Sequence, residues 1–142
     1  MKISLLVGLL IAAAPVSQMP KNDPTGTWQA DSGSRFAIKL TGEELKVSLV
    51  SGSNPRFKDY EVNLKLMKDD QGRVFDVNTY QGKGHFTAKM QTGKECSFDI
   101  DWQLVVIQPS WIVGKVTSVD ADGNTCEVKD RNEVRMDLKK VE

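Results

Sequence analysis

"KECSFDIDWQLVVI", Lys94 to Ile107, decides the fold. Cys96, Phe98, Ile100, Trp102 and Leu104 share one parity, while Glu95, Ser97, Asp99, Asp101 and Gln103 share the other. A period of two is the signature of a strand, and this one has a buried face and a wet face. A one-residue slip would exchange the two faces, so the register of whatever pairs with it is strongly constrained.

The pattern repeats outward in both directions. Arg35 to Leu40 alternates, Thr41-Gly42-Glu43-Glu44 turns, and Leu45 to Leu49 returns as the second arm of a hairpin. Tyr60, Val62, Leu64 and Leu66 alternate with polar neighbours after a break at Pro55, which cannot supply a ladder donor. Asp69 to Gly72 predicts a turn into a strand at Phe75 to Thr79, and Gln81-Gly82-Lys83-Gly84 a second turn into Phe86 to Met90. Beyond Gln108-Pro109-Ser110 come Trp111 to Val119, a turn at Asp120 to Asn124, and the alternation of Val134, Met136 and Leu138. No helical period interrupts the series. About eight short antiparallel strands predict an all-β fold, a small up-and-down, lipocalin-like barrel, with a β-sandwich as the alternative; closure removes the edges that a flat meander would leave open.

The start of the chain has a different character. Met1-Lys2 precedes an uncharged Leu, Ile and Ala-rich run from Ile3 to Ala14, the order of a secretory signal, and the run is too short for the about 20 residues of a membrane span. Pro15 directly after Ala12-Ala13-Ala14 would hinder a peptidase, which moves the expected cut into Pro15 to Pro20, after Ser17. The expected organisation is a signal peptide at 1–17, a linker at 18–24 and one barrel domain at 25–142, secreted or periplasmic and monomeric, with no membrane insertion after cleavage. No cysteine near the cut offers a lipid anchor. The 142 residues carry 19 basic and 19 acidic side chains, and losing Lys2 leaves one unit of negative charge. Bulk charge therefore offers nothing to nucleic acid or to an anionic membrane.

Cys96 and Cys126 are the two cysteines, and an exported pair is expected to form one disulfide. A hairpin centred on Pro109 sets Cys96 opposite the neighbourhood of Asp122. Cys126 then belongs to the next strand over, about two strand spacings of roughly 4.8 Å away, too far for a bridge unless the middle strand stops first. The expected bridge closes over the end of that strand.

Chemistry finds few footholds. His85 is the sole histidine, no serine occupies a nucleophile elbow, and two lone cysteines lack the remaining ligands of a metal site. Asp120 to Asn124 has its glycine in the wrong place for a calcium loop, with Arg131 where a bidentate glutamate is required. Asp99 and Asp101 lie together on the wet face, not in the apolar setting that a carboxylate acid needs. Gly82-Lys83-Gly84 precedes no helix and so offers no phosphate site. The expectation is no enzyme, no cofactor and no metal.

Gly26-Thr27-Trp28, with Gly33-Ser34 and Phe36 after it, resembles the Gly-x-Trp that opens lipocalin-like (calycin) barrels, and "GTWQADSGSRFAI" is similar to the first hairpin of avidin-like proteins. The resemblance implies that Trp28 plugs one barrel end and that Ser34 is a polar position on the second strand. It does not extend to biotin, because Ala30 stands where an avidin-like protein offers an asparagine and Ser32 where an apolar residue is usual. Lipocalins also set a late arginine over the first tryptophan, whereas the parity of Arg135 points it outward. The same residues equally suit an unrelated meander.

Three functions fit these features. One is an exported binding module for a hydrophobic small ligand, with Trp28, Ser34 and Trp102 as candidate contacts and a lumen lined by Phe36, Ile38, Leu64, Phe75, Val77, Phe86, Phe98, Ile100 and Trp102; the same side chains would also fill a closed core. Another is a protein-interaction module, such as an inhibitor or an envelope-stress factor, docking an exported protein on Trp111 at a hairpin tip. The third is a structural domain.

Overall fold

The computed structural model describes residues 22–141. The leader at 1–17 and most of the linker lie outside the described residues. Eight antiparallel strands follow one another: β1 (Gly26–Ala30), β2 (Arg35–Thr41), β3 (Glu44–Leu49), β4 (Phe57–Leu66), β5 (Thr79–Lys89), β6 (Glu95–Gln108), β7 (Trp111–Ala121) and β8 (Val128–Lys140). Each pairs with the next, and β1 returns to β8 through Trp28, Gln29 and Ala30 opposite Lys140, Lys139 and Leu138. The result is a closed barrel, not a sandwich. General calycin architecture is of this kind.

Alternation along each strand fills the inside. Phe36, Ile38, Leu45, Val47, Val62, Leu64, Phe98, Ile100, Trp102 and Leu104 are all buried, and each contributes roughly 1.5–3 kcal/mol of transfer free energy. The β6–β7 register pairs Trp102 with Val116 and Leu104 with Gly114, as a turn centred on Pro109 requires.

Two expectations are corrected. Gly82-Lys83-Gly84 is not a turn; it runs through the middle of β5, opposite Leu64 to Val62 of β4. A Cβ on Gly82 would overlap the Asn63 carbonyl oxygen and come within 2.9 Å of Leu64 Cα, and one on Gly84 would overlap the Glu61 carbonyl and reach 2.6 Å from Val62 Cα. These glycines let two backbones meet closely inside the barrel. Phe75 to Asn78 is likewise no strand, and only Thr79 of the expected run belongs to one, as the first residue of β5. Once β5 runs unbroken, its inward residues are Tyr80, Phe86 and Ala88, and Phe75 and Val77 fall on the opposite parity. They sit in the β4–β5 loop, 43% and 45% exposed. That loop is organised instead by Asp69, whose carboxylate accepts the backbone N–H of Gln71 and of Arg73, each at 2.9 Å.

The two barrel ends differ. At one, Trp28 is fully buried and its indole nitrogen donates to the Pro24 carbonyl at 2.8 Å, with Tyr80, Leu66 and Ile112 packed into the same core. At the other, β1 to β3 stop short with 5 to 7 residues each, while β4 to β8 continue for 10 to 14. The wall is therefore high on one side only, and the hollow lies behind it.

Candidate functional site

At the open end a cavity of about 360 Å3 lies between a wall of aromatic rings and the distal half of the β7–β8 hairpin. The rings come from β2, β4, β5 and β6. Phe57 meets Phe86 edge-on at 5.1 Å, Tyr60 stacks on Phe86 at 5.2 Å, and Phe98 closes against Phe86 at 5.6 Å. Phe36 joins the wall edge-on to Tyr60 at 5.6 Å. Val116, Val119, Ala121, Val134 and Met136 face them from the hairpin, and Ser32, Ser34, Asn54 and Arg56 form a polar rim.

Phe57 and Tyr60 differ in parity yet line the same cavity. The cause is a bulge: the β4–β5 register shifts between Lys58 and Glu61, and Asp59 takes a φ of 54°. An extra residue in one strand flips the faces beyond it. Without the bulge Phe57 would point to solvent and the aromatic wall would lose its outermost ring.

The hairpin arches over the cavity with little sheet on either side. β6–β7 pairing ends at Trp102 with Val116, and Thr117 Oγ1 then accepts from the Asp101 N–H at 3.0 Å and donates to its carbonyl at 3.1 Å. On the other flank β8 meets β1 only from Leu138 onward. The tip is tied down by Cys96–Cys126, whose Cα atoms are 5.5 Å apart, and by the Lys94 ammonium, which donates to the Asn124 carbonyl at 3.0 Å. The bridge does close past the strand end, at the turn between β7 and β8. Inside that turn the Asp122 carboxylate accepts the N–H of Asn124 at 2.7 Å and of Thr125 at 3.0 Å, which holds its pKa below the usual carboxylate range.

Of the residues singled out in the sequence, Ser34 lines the cavity, buried, with Asn54 Nδ2 donating to its hydroxyl at 3.4 Å. Trp102 lies beneath the aromatic wall, edge-on to Phe36 at 5.3 Å, and Trp28 belongs to the far end; neither lines the cavity. Trp111 is half-buried on the outer wall, with the Lys139 ammonium 4.8 Å from its ring centre. Its neighbour Asp137 is held below the ordinary carboxylate range first by Arg135 at 2.8 Å and to a lesser degree by the Trp111 indole. Arg135 thus points outward, and it is the Lys140 ammonium that lies over the Trp28 ring, 6.0 Å from its centre.

The cavity lining includes neither a carboxylate nor a histidine. Tyr60 is its one titratable acid, pushed up to about 12 by burial. His85 is exposed on the outer face, in register with Glu61 and Asp99. Among the described residues no group of three or more His, Cys, Asp or Glu is placed to hold a metal ion. The arrangement is suited to enclosing an apolar body, and it offers no pair of groups for proton transfer. Phe57, Asn54 and Arg56 had no sequence signal as site residues, since the bulge that brings Phe57 inward is not written as a glycine. The chain matches no protein-family model, no curated protein and no solved structure, so its likeness to calycin barrels is one of architecture alone.

Proposed function

We propose that this chain is an exported binding module that holds a hydrophobic small ligand in the open end of its barrel and catalyses no reaction. The observation that carries the reading is the cavity itself: about 360 Å3, walled by Phe36, Phe57, Tyr60, Phe86 and Phe98 and rimmed by a few polar groups, the size and make-up of a small-molecule site. The apolar leader and the disulfide both suit an oxidising compartment outside the cytoplasm.

Native mass spectrometry of protein recovered from its host's periplasm or culture fluid tests the reading, by looking for a retained small molecule. A second arm uses N-phenyl-1-naphthylamine, a neutral fluorescent probe, with Ala88→Phe. Ala88 is buried and lines the cavity, so the larger ring fills it. Probe binding is expected in the native chain and lost in the variant while the circular dichroism spectrum is kept. Equal binding by both proteins would refute the reading.

One observation favours a second reading, docking of an exported protein partner. Among the described residues, Val128 to Met136 of β8 pair only with β7, which leaves an edge to which an extended segment can add. Asp130 and Asn132 occupy the inward parity of that edge, and polar groups so placed oppose strand addition. The small-ligand reading is therefore preferred.

A further inference from the structure

The cavity is apolar below its rim and cationic on one side of it. Arg56 lines the rim just before β4, and the Lys89 N–H donates to the Arg56 carbonyl at 2.7 Å, which seats the last residue of β5 beside it. Both side chains are exposed, and among the described residues neither forms an ion pair. Three other cations of this barrel end are engaged: Lys58 with Glu95 at 2.6 Å, Lys94 with the Asn124 carbonyl, and Arg131 with the Asp99 carbonyl at 2.6 Å.

Exposed cations are commonplace, and two of them alone would signify only a solvated surface. Their position is what matters. A shallower depression lined by Pro55, Arg56, Lys89, Met90 and Gln91 adjoins the cavity, and Arg56 and Met90 line both hollows. An apolar hole thus adjoins a shelf that presents two cations with no ion pair of their own among the described residues, Lys89 lying in register with Glu95, whose carboxylate is taken by Lys58.

We infer that the occupant is a free anionic amphiphile, with its apolar body against the aromatic wall and a carboxylate or phosphate head over Arg56 and Lys89. The inference rests on the small-ligand reading above and adds the head. A guanidinium presents paired donors that match either head, and beside an apolar wall its charge is screened less than in open water. A lipid surface carries the same head chemistry, but two cations hold such a surface weakly, and stable docking draws on a larger basic cluster or on apolar side chains projecting from the rim. Here Ser32, Ser34, Asn54 and Ser118 occupy it, and of the large apolar lining residues only Val134 is exposed.

Calorimetric titration of the chain with decanoate, decanol and decyltrimethylammonium tests the head with the tail held constant. Decanoate is expected to bind about tenfold more tightly than decanol, the scale of one charge-assisted hydrogen-bonded contact, with decyltrimethylammonium weakest. Arg56→Gln should weaken decanoate several-fold more than decanol, Lys89→Gln should do so to a smaller degree, and added salt should weaken decanoate alone. Equal affinities for the three heads would overturn the inference and leave the small-ligand reading standing; failure of all three to bind would overturn both. The protein should stay in the supernatant when phosphatidylglycerol vesicles are sedimented, and co-sedimentation that is lost in Arg56→Gln would overturn the free amphiphile in favour of a membrane.

Discussion

The indole nitrogen of Trp102 on β6 donates to the hydroxyl oxygen of Tyr60 on β4, 3.1 Å away inside the barrel. An indole N–H can only donate, so the direction of the bond is fixed and Tyr60 is the acceptor. The contact ties the floor of the cavity to the core below it.

Removing that acceptor leaves a buried donor unsatisfied, at a cost of about 1–3 kcal/mol. Tyr60→Phe is expected to lose stability by that amount in urea denaturation, with an unchanged slope because the fold and its exposed area on unfolding are the same. A loss below about 0.5 kcal/mol, the range of an ordinary surface substitution, would show that the Trp102 proton is satisfied in another way.

The glycines of β5 make a sharper test. Gly82→Ala and Gly84→Ala each place a methyl group on the backbone of β4, where no flexible side chain can move aside. Either substitution is expected to destabilise the barrel by more than about 3 kcal/mol or to prevent folding. Gly114→Ala is the comparison: its methyl group meets the end of the Leu104 side chain at 2.8 Å, which can rotate, and the expected loss is smaller. Similar losses at all three positions, measured by denaturant melts, would contradict the close approach of β4 and β5.

These glycines also mark where the sequence stops being readable. Alternation placed Phe36, Ile38, Leu64, Phe98, Ile100 and Trp102 inside correctly, because a single buried face is a local property of a strand. It failed at Gly82 and Gly84, since a glycine that reverses the chain and one that admits a neighbouring backbone look alike without the neighbour. That one misreading also put Phe75 and Val77 in the core, as a turn at 81–84 was needed to reconcile their parity with that of Phe86. Of the cavity, Phe36, Phe86 and Phe98 were legible from alternation and Ser34 from the resemblance of the first hairpin. Arg56 and Phe57 owe their places to the Asp59 bulge and to the unequal strand lengths, and both are facts about pairing between strands.

The disulfide constrains the part of the molecule with the least sheet around it. Closing a loop with a sequence separation of 30 residues contributes about 3–4 kcal/mol in the chain-entropy picture, and the double variant Cys96→Ala, Cys126→Ala is expected to lose that much. The loss should also be local. Beyond Val116 the hairpin has no backbone ladder to β6 or, before Leu138, to β1, so amide hydrogen exchange in the variant should accelerate chiefly over 117–133 and little in β2 to β5. Uniform acceleration would mean that the bridge stabilises the barrel as a whole and does not hold the hairpin over the cavity.

The chain has two tyrosines, and both titrate far from the ordinary value: Tyr60 and Tyr80 are each raised from 10.0 to about 12. Burial is the leading cause in each. For Tyr60 the bond from Trp102 acts in the opposite direction, and for Tyr80 the Asp23 and Glu43 carboxylates add to burial. Folding favours the neutral phenol, so between the two values the native chain binds more protons than the unfolded one. The corresponding stability is whole below pH 10.0 and is lost as pH rises toward about 12. An ultraviolet absorbance titration should therefore find almost no tyrosinate in the native protein at pH 10.0, where the urea-unfolded chain is half ionised, and ionisation should coincide with loss of the near-ultraviolet circular dichroism. Half-ionisation of either ring at that pH with the native spectrum retained would mean that water reaches a phenol placed here in the interior, and for Tyr60 that the cavity is wet down to its floor.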